Sequence, residues 1–188
     1  ALAGLRPVEA GTITGPSAEE SHWIGHKNGL NPALSAVENL QFWCGLHGAD
    51  AGGMPAVLDR LHLKAARQRP VRTLSTGQKR RLLLARALVH KPPALFLDEP
   101  ANGLDMGAGL ALLTLLRNYC SADHAMIITT HHIDEIIPEI ERVVLLDRGR
   151  IVADGAKAEI LTSENLSALY QTPLRVTEQD GWYRCWHA

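Results

Sequence analysis

The chain has 188 residues, 46% of them hydrophobic and 21% charged, with a formal net charge of −1. That length suits one domain with its own core, and the near-neutral balance gives no electrostatic reason to expect a nucleic-acid partner, which needs a clustered basic face. No apolar stretch approaches the ~20 residues that span a bilayer, so membrane association would come through partners. Cys44, Cys120 and Cys185 are widely spaced without a C-x-x-C, which predicts unpaired thiols in a reducing, cytoplasmic setting. The opening residues Ala1-Leu2-Ala3-Gly4 carry neither an initiator Met nor a signal-peptide pattern, and they read as a chain cut inside a helix.

In chain order, Gly11 to Thr14 and Ser21 to Gly25 have the β-branched and aromatic character of short strands bounded by Gly and Pro. From Asn31 to Lys91 no strand is expected. Apolar residues recur there at helical spacing, in Val37-Leu40 and Val57-Leu58-Leu61, which predicts an inserted helical subdomain. Pro92-Pro93 then punctuates the chain before Ala94-Leu95-Phe96-Leu97, a continuous apolar run of the kind found in buried parallel strands. A helix is predicted over Leu110 to Tyr119, a second buried strand over Met126 to Thr129, and a hairpin from Arg142 to Ala153 that turns at Asp147-Arg148-Gly149-Arg150. Alternating strands and helices imply a mostly parallel sheet with helices on its faces.

Chemistry concentrates at the end of the apolar run, where Asp98 and Glu99 follow Leu97. A parallel strand ending in two carboxylates delivers them to the carboxyl edge of its sheet, where open α/β folds bind ligands. One carboxylate there can hold Mg²⁺, a hard cation that takes oxygen ligands. The other can polarise an attacking water. A strand that simply ends in charged surface residues is the plainer alternative. Asp98 lies twenty positions after Gln78, which closes the string Leu74-Ser75-Thr76-Gly77-Gln78 and is followed by K-R-R-L-L-L-A-R-A-L. Ser75 can cap the helix starting near Thr76, and Gly77 lets backbone approach a ligand. The unpaired N–H groups of that first turn then make an anion site. The run Lys79-Arg80-Arg81 reads as the solvated side of this helix. His131 and His132 follow the strand ending at Thr129, and the other histidines are scattered along the sequence without a zinc spacing.

L-S-T-G-Q, the apolar run ending in Asp98-Glu99-Pro100, and Thr130-His131 occur in the order of the signature, Walker B and switch motifs, and over almost all its length the chain resembles an ABC-transporter ATPase subunit. The resemblance implies an α/β, P-loop NTPase-like fold: a mostly parallel sheet with an inserted helical signature subdomain. The nucleotide-binding core would comprise residues 1–27 and 92–170, the helical subdomain 28–91 and a C-terminal extension 171–188. It further implies Asp98 as the metal-associated residue, Glu99 as general base and His131, rather than its neighbour His132, as the switch histidine. Ser75, Gly77 and Gln78 would serve ATP held by a second ATPase subunit in a head-to-tail dimer. Leu104 and Asp105 match the D-loop, where Asn102 replaces the usual Ser; Asp105 can cap the next helix as well. The implied cofactors are ATP and Mg²⁺. The implied partners are transmembrane permease subunits and the second ATPase subunit, with no nucleic acid, at the cytoplasmic face of the inner membrane.

Two features depart from the family. Its phosphate loop, G-x-x-x-x-G-K-[ST], occurs nowhere in these residues. Ala1 to Pro7 looks like the end of the helix that follows that loop, so the expectation is an N-terminally truncated chain that does not hydrolyse ATP by itself. Lys27 stands where the family carries a Gln, and a cation cannot supply the oxygen ligand of an amide. The cargo is read in two ways. Gly25 to Gly48 and Pro70 to Ser75 are similar to the haem-exporter ATPase of cytochrome c maturation, whereas the chain from Thr129 onward resembles ATPases of iron-chelate and metal importers. A soluble ABC ATPase without transmembrane partners and a loop-less regulatory remnant are the other readings. Intact Asp98, Glu99 and His131 argue against the remnant.

Overall fold

The computed structural model describes residues 7–17, 20–25, 29–90, 92–120 and 124–188. Lys27 and residues 1–6, on which two of the expectations above rest, lie outside them. The chain forms two compact units, Ala1–Thr130 and His131–Ala188.

In the first unit, β1 (Ser21–Ile24), β2 (Ala94–Asp98) and β3 (Ala125–Thr129) form a parallel sheet in the order β1-β2-β3. Ile24 pairs with Leu97 and Asp98 with Thr129, so all three strands end at the same edge. The central β2 buries Ala94, Leu95 and Leu97. β3 departs from the expectation of a buried strand. It lies at the edge of the sheet and exposes Ala125, Ile127 and Thr129 in alternation, the pattern of a strand covered on one face. Gly11 to Thr14 is not a strand either. Gly11 has φ 89°, the neighbouring residues are exposed, and no strand among the described residues pairs with them.

Four helices pack around this sheet's unit: α1 (Ala36–His47), α2 (Met54–Arg60), α3 (Thr76–His90) and α4 (Met106–Cys120). No strand occurs among the described residues from 29 to 90, as the periodicity predicts. α1 begins with a reciprocal cap in which Glu38 N donates to Ser35 Oγ and Ser35 N donates to the Glu38 carboxylate. The core of fully buried leucines runs through every layer: Leu40 from α1, Leu82 and Leu83 from α3, Leu95 and Leu97 from β2, and Leu112 and Leu116 from α4. Each contributes about 1.5–3 kcal/mol by leaving water.

The second unit contains two hairpins and two short helices. β4 (Arg142–Asp147) and β5 (Arg150–Ala156) form the expected hairpin, turned by Arg148 and Gly149 at φ 47° and 76°. α5 (Lys157–Ile160) and α6 (Ser163–Tyr170) lead to β6 (Leu174–Gln179) and β7 (Trp182–His187). This second hairpin turns on Asp180 and Gly181, both with positive φ, the pair that a tight two-residue turn selects. Ser167 Oγ accepts from Leu174 N and Ser163 Oγ from Val176 N, so side chains of α6 cover edge donors of β6. Val143, Ile160, Leu161 and Tyr183 form the unit's core.

Lys157 pins that core. Its ammonium donates to the carbonyls of Pro138 at 2.8 Å and of Ile137 and Gly181 at 3.2 Å, and burial holds its pKa below the usual lysine value. Lys157→Met keeps the stem and removes the donors. It is expected to cost this unit about 2 kcal/mol, the order for charge-assisted hydrogen bonds, seen as a lower urea midpoint. An unchanged midpoint would refute the pin.

Candidate nucleotide site

The site is built at the carboxyl edge of the sheet. Asp98 closes β2 half-buried and accepts a hydrogen bond from Thr129 Oγ1 at 2.6 Å. Glu99, the next residue, sits at φ 48°, in the left-handed region that glycine favours and other residues occupy at a cost. Its peptide is held on both sides. The N–H donates to Thr129 O at 2.9 Å, and the carbonyl accepts from Asn102 N at 3.2 Å and from Arg80 Nη2 at 2.9 Å. The paired carboxylate residues thus stand at the sheet edge where the sequence places them, and Thr129 of β3 holds the Asp98 side chain and the Glu99 backbone.

Arg80, which sequence reasoning passed over, donates to the backbone of Glu99. The run Lys79-Arg80-Arg81 is not simply a solvated face, because Arg80 is only 6% exposed and turns inward, with Nη1 donating to Gly25 O at 2.9 Å. Burial lowers its pKa from the ordinary value, and the charge of Asp98 acts in the opposite direction. The group nonetheless stays cationic, because an arginine titrates far above neutrality. The available signal was position: two residues after Gln78, an α-helix places a side chain on a different face from its capping residue.

The signature string forms the start of α3 as expected. Gln78 N donates to Ser75 Oγ and Ser75 N donates to Gln78 Oε1, a capping box that occupies both side chains. Gly77 makes its close approach to this chain itself: a Cβ there would lie 3.3 Å from Ala108 Cβ and 3.7 Å from Leu104 Cδ2. The first turn of α3 therefore packs against the D-loop-like segment and the start of α4. Asp105 caps α4, accepting from Ala108 N at 2.8 Å. His131 opens the second unit two residues beyond β3, with its ring 4.0 Å from that of His132. Ser75, Gly77, Gln78, Asp98, Glu99 and Asp105 all belong to the first unit.

No group of three His, Cys, Asp or Glu side chains among the described residues could hold a metal ion. The oxygen donors at the sheet edge, Asp98 and its partner Thr129, nevertheless suit a hard cation whose remaining ligands are phosphate oxygens and water.

Three of the histidines scattered in sequence meet in space. His22 of β1, His47 of α1 and His90 of α3 lie with ring centroids 4.6 to 6.1 Å apart, and Arg86 Cζ stands 4.4 Å over the Trp43 ring beside them. Burial, then the charges of Arg86, His90 and His47, push His22 down to about 3. Burial likewise lowers His90.

A profile described as ABC transporter matches residues 1–102. Among curated proteins, the cytochrome c biogenesis ATP-binding export protein CcmA of Rhodopseudomonas palustris (strain BisB5) is 38% identical over 137 residues, covering 69% of this chain and 68% of that protein. Its namesake in Paracoccus denitrificans (strain Pd 1222) is 39% identical over 140 residues, covering 74% and 65%. That of Brucella abortus (strain 2308) is 37% identical over 129 residues, covering 69% and 60%. The chain thus spans about two thirds of the length of the curated relatives it matches. A solved structure described as an inward-facing metal-chelate type ABC transporter superposes with a TM-score of 0.80 at 23% identity, covering 98% of this chain and 76% of that one. At that identity the likeness is one of fold.

Proposed function

The chain belongs to the ABC transporter family, and from that premise we propose that it acts in the ATP-hydrolysing subunit of a membrane transporter. Bound Mg²⁺ would neutralise charge on the phosphates, with Asp98 as its protein carboxylate. Glu99 accepts the proton of the attacking water, and its backbone is already fixed from two sides. Ser75, Gly77 and Gln78 present the first turn of α3 to the nucleotide of a second subunit, head to tail, and His131 serves the chain's own nucleotide. The observation that carries this reading is the carboxylate pair Asp98-Glu99 at the end of a parallel strand, tied through Arg80 to the signature helix.

Family membership supports docking on permease subunits at the cytoplasmic face of the inner membrane; no helix among the described residues is itself long and apolar enough to cross a membrane. The relatives named as cytochrome c biogenesis export proteins support export in that process over metal-chelate import, because the metal-chelate type neighbour shares fold alone. In this reading Lys27 stands in the sequence where the family carries an amide ligand.

The test is to express this sequence behind a family phosphate-loop segment, G-x-x-x-x-G-K-[ST], purify that completed subunit with its membrane partner from a detergent extract, and follow phosphate release. Mg²⁺-dependent ATP hydrolysis in the complex is the expected result. Co-purification with soluble proteins alone, or a complex inert toward ATP, would overturn the assignment. These 188 residues by themselves carry no G-x-x-x-x-G-K-[ST] cradle for the β-phosphate and are expected to show no ATP turnover. Phosphate release by the isolated chain, above a Glu99→Gln control, would refute that.

A further inference from the structure

We infer that Arg80 is a positioning residue for hydrolysis, bridging the carbonyls of Gly25 and Glu99 so that the helix presenting the signature also fixes the backbone of the base. This rests on the reading of Glu99 as base.

A non-glycine residue in the left-handed region persists where its surroundings over-determine it. Glu99 meets that condition through Thr129, Asn102 and Arg80, and of these three only Arg80 brings a charge and reaches in from the helical part of the unit. A guanidinium offers donors in a rigid planar fork, so one side chain can hold two carbonyls at a fixed separation. Nη1 and Nη2 do so here, each at 2.9 Å and shielded from solvent. The two carbonyls are not equivalent. Gly25 is the residue by which β1 leaves the sheet, and Glu99 is the residue by which β2 leaves it.

Arg80 follows Gln78 by two residues, within the first turns of α3. When the capping box between Ser75 and Gln78 exchanges its hydrogen bonds for a phosphate, any shift of that turn is transmitted to Glu99 through a short, buried linkage. The state of the signature is thereby read at the base and at the exit of β1 together.

The experiment compares wild type, Arg80→Gln and Arg80→Lys by amide hydrogen exchange in the full chain, then by ATP turnover in the membrane complex of the subunit completed with its phosphate loop. Arg80→Gln is expected to speed exchange at Glu99 and Asn102 by at least about tenfold, while amides of Leu83 to Ala87 in α3 stay within about twofold. Arg80→Lys should fall between, since an ammonium lacks the fork. In the complex, kcat should drop by about tenfold or more in Arg80→Gln with the KM for ATP nearly unchanged, and recover in part in Arg80→Lys. Unaltered exchange at Glu99, an equal rise across α3, or full kcat alongside faster exchange would each overturn the inference. Should Arg80→Gln not fold, wild-type exchange at Glu99 in Arg80→Lys would overturn it alone. If Glu99 exchange responds but Glu99→Gln retains turnover, the clamp stands and the base assignment falls.

Discussion

Glu99→Gln in the membrane complex of the subunit completed with its phosphate loop is expected to leave ATP binding intact and to slow turnover by about 10² to 10⁴, the usual contribution of a positioned general base. That factor corresponds to about 2.7–5.4 kcal/mol in the barrier at about 1.36 kcal/mol per tenfold. The amide has the shape of the carboxylate, and the hydrogen bonds to Thr129, Asn102 and Arg80 run through the backbone of this residue, so the substitution leaves those three in place. What it removes is the proton acceptor. The measurement pairs nucleotide binding with phosphate release on the same preparation. Turnover near wild type would show that another group takes the proton, and equal loss of binding and turnover would point to a fold defect instead.

The second large effect concerns acid. His22 is 8% exposed and is pushed from its ordinary 6.5 to about 3, first by burial and then by the positive charges of Arg86, His90 and His47. Among the described residues its Nε2 and that of His90 find no hydrogen-bond partner. Because the folded pKa lies below the unfolded one, the unfolded chain binds the proton more readily. The stability from keeping His22 neutral is therefore complete above pH 6.5 and is lost as pH falls toward 3, at about 1.4 kcal/mol per pH unit. The lowered pKa of His90 acts in the same direction. Urea unfolding of the first unit should weaken by roughly 2–3 kcal/mol between neutral pH and about pH 4.5. His22→Phe should remove most of that slope while keeping an aromatic ring in the cluster. A slope identical in the two proteins would dismiss His22 as its source.

The parts of the fold legible in the sequence were those fixed by local pattern. The apolar run before Asp98, the helical spacing from Val37 to Leu61 and the turn at Arg148-Gly149 each carry their own signal, and each formed as read. Ser75 and Asp105 cap their helices because capping is decided within four residues. What was missed depends on partners distant in the chain. Arg80 contacts Gly25 across 55 positions, and His22, His47 and His90 meet only after β1, α1 and α3 pack. Ile127 and its neighbours have the composition of a buried strand, yet their exposure follows from β3's place at the edge of the sheet. The hairpin of β6 and β7 carries a strong turn signal in Asp180-Gly181, but the flanking charges of Arg175, Glu178 and Arg184 dilute the alternation on which strand reading depends.

The serine hydroxyls of α6 have a bearing on solubility. An uncovered strand edge is a template on which another chain can add, and β7 supplies the aromatic residues Trp182, Tyr183 and Trp186 that favour such stacking. Proteins commonly guard an edge with lysine or proline. Here Ser163 and Ser167 occupy donors of β6 directly, so its partner β7 can keep its aromatic residues without β6 recruiting a neighbouring molecule.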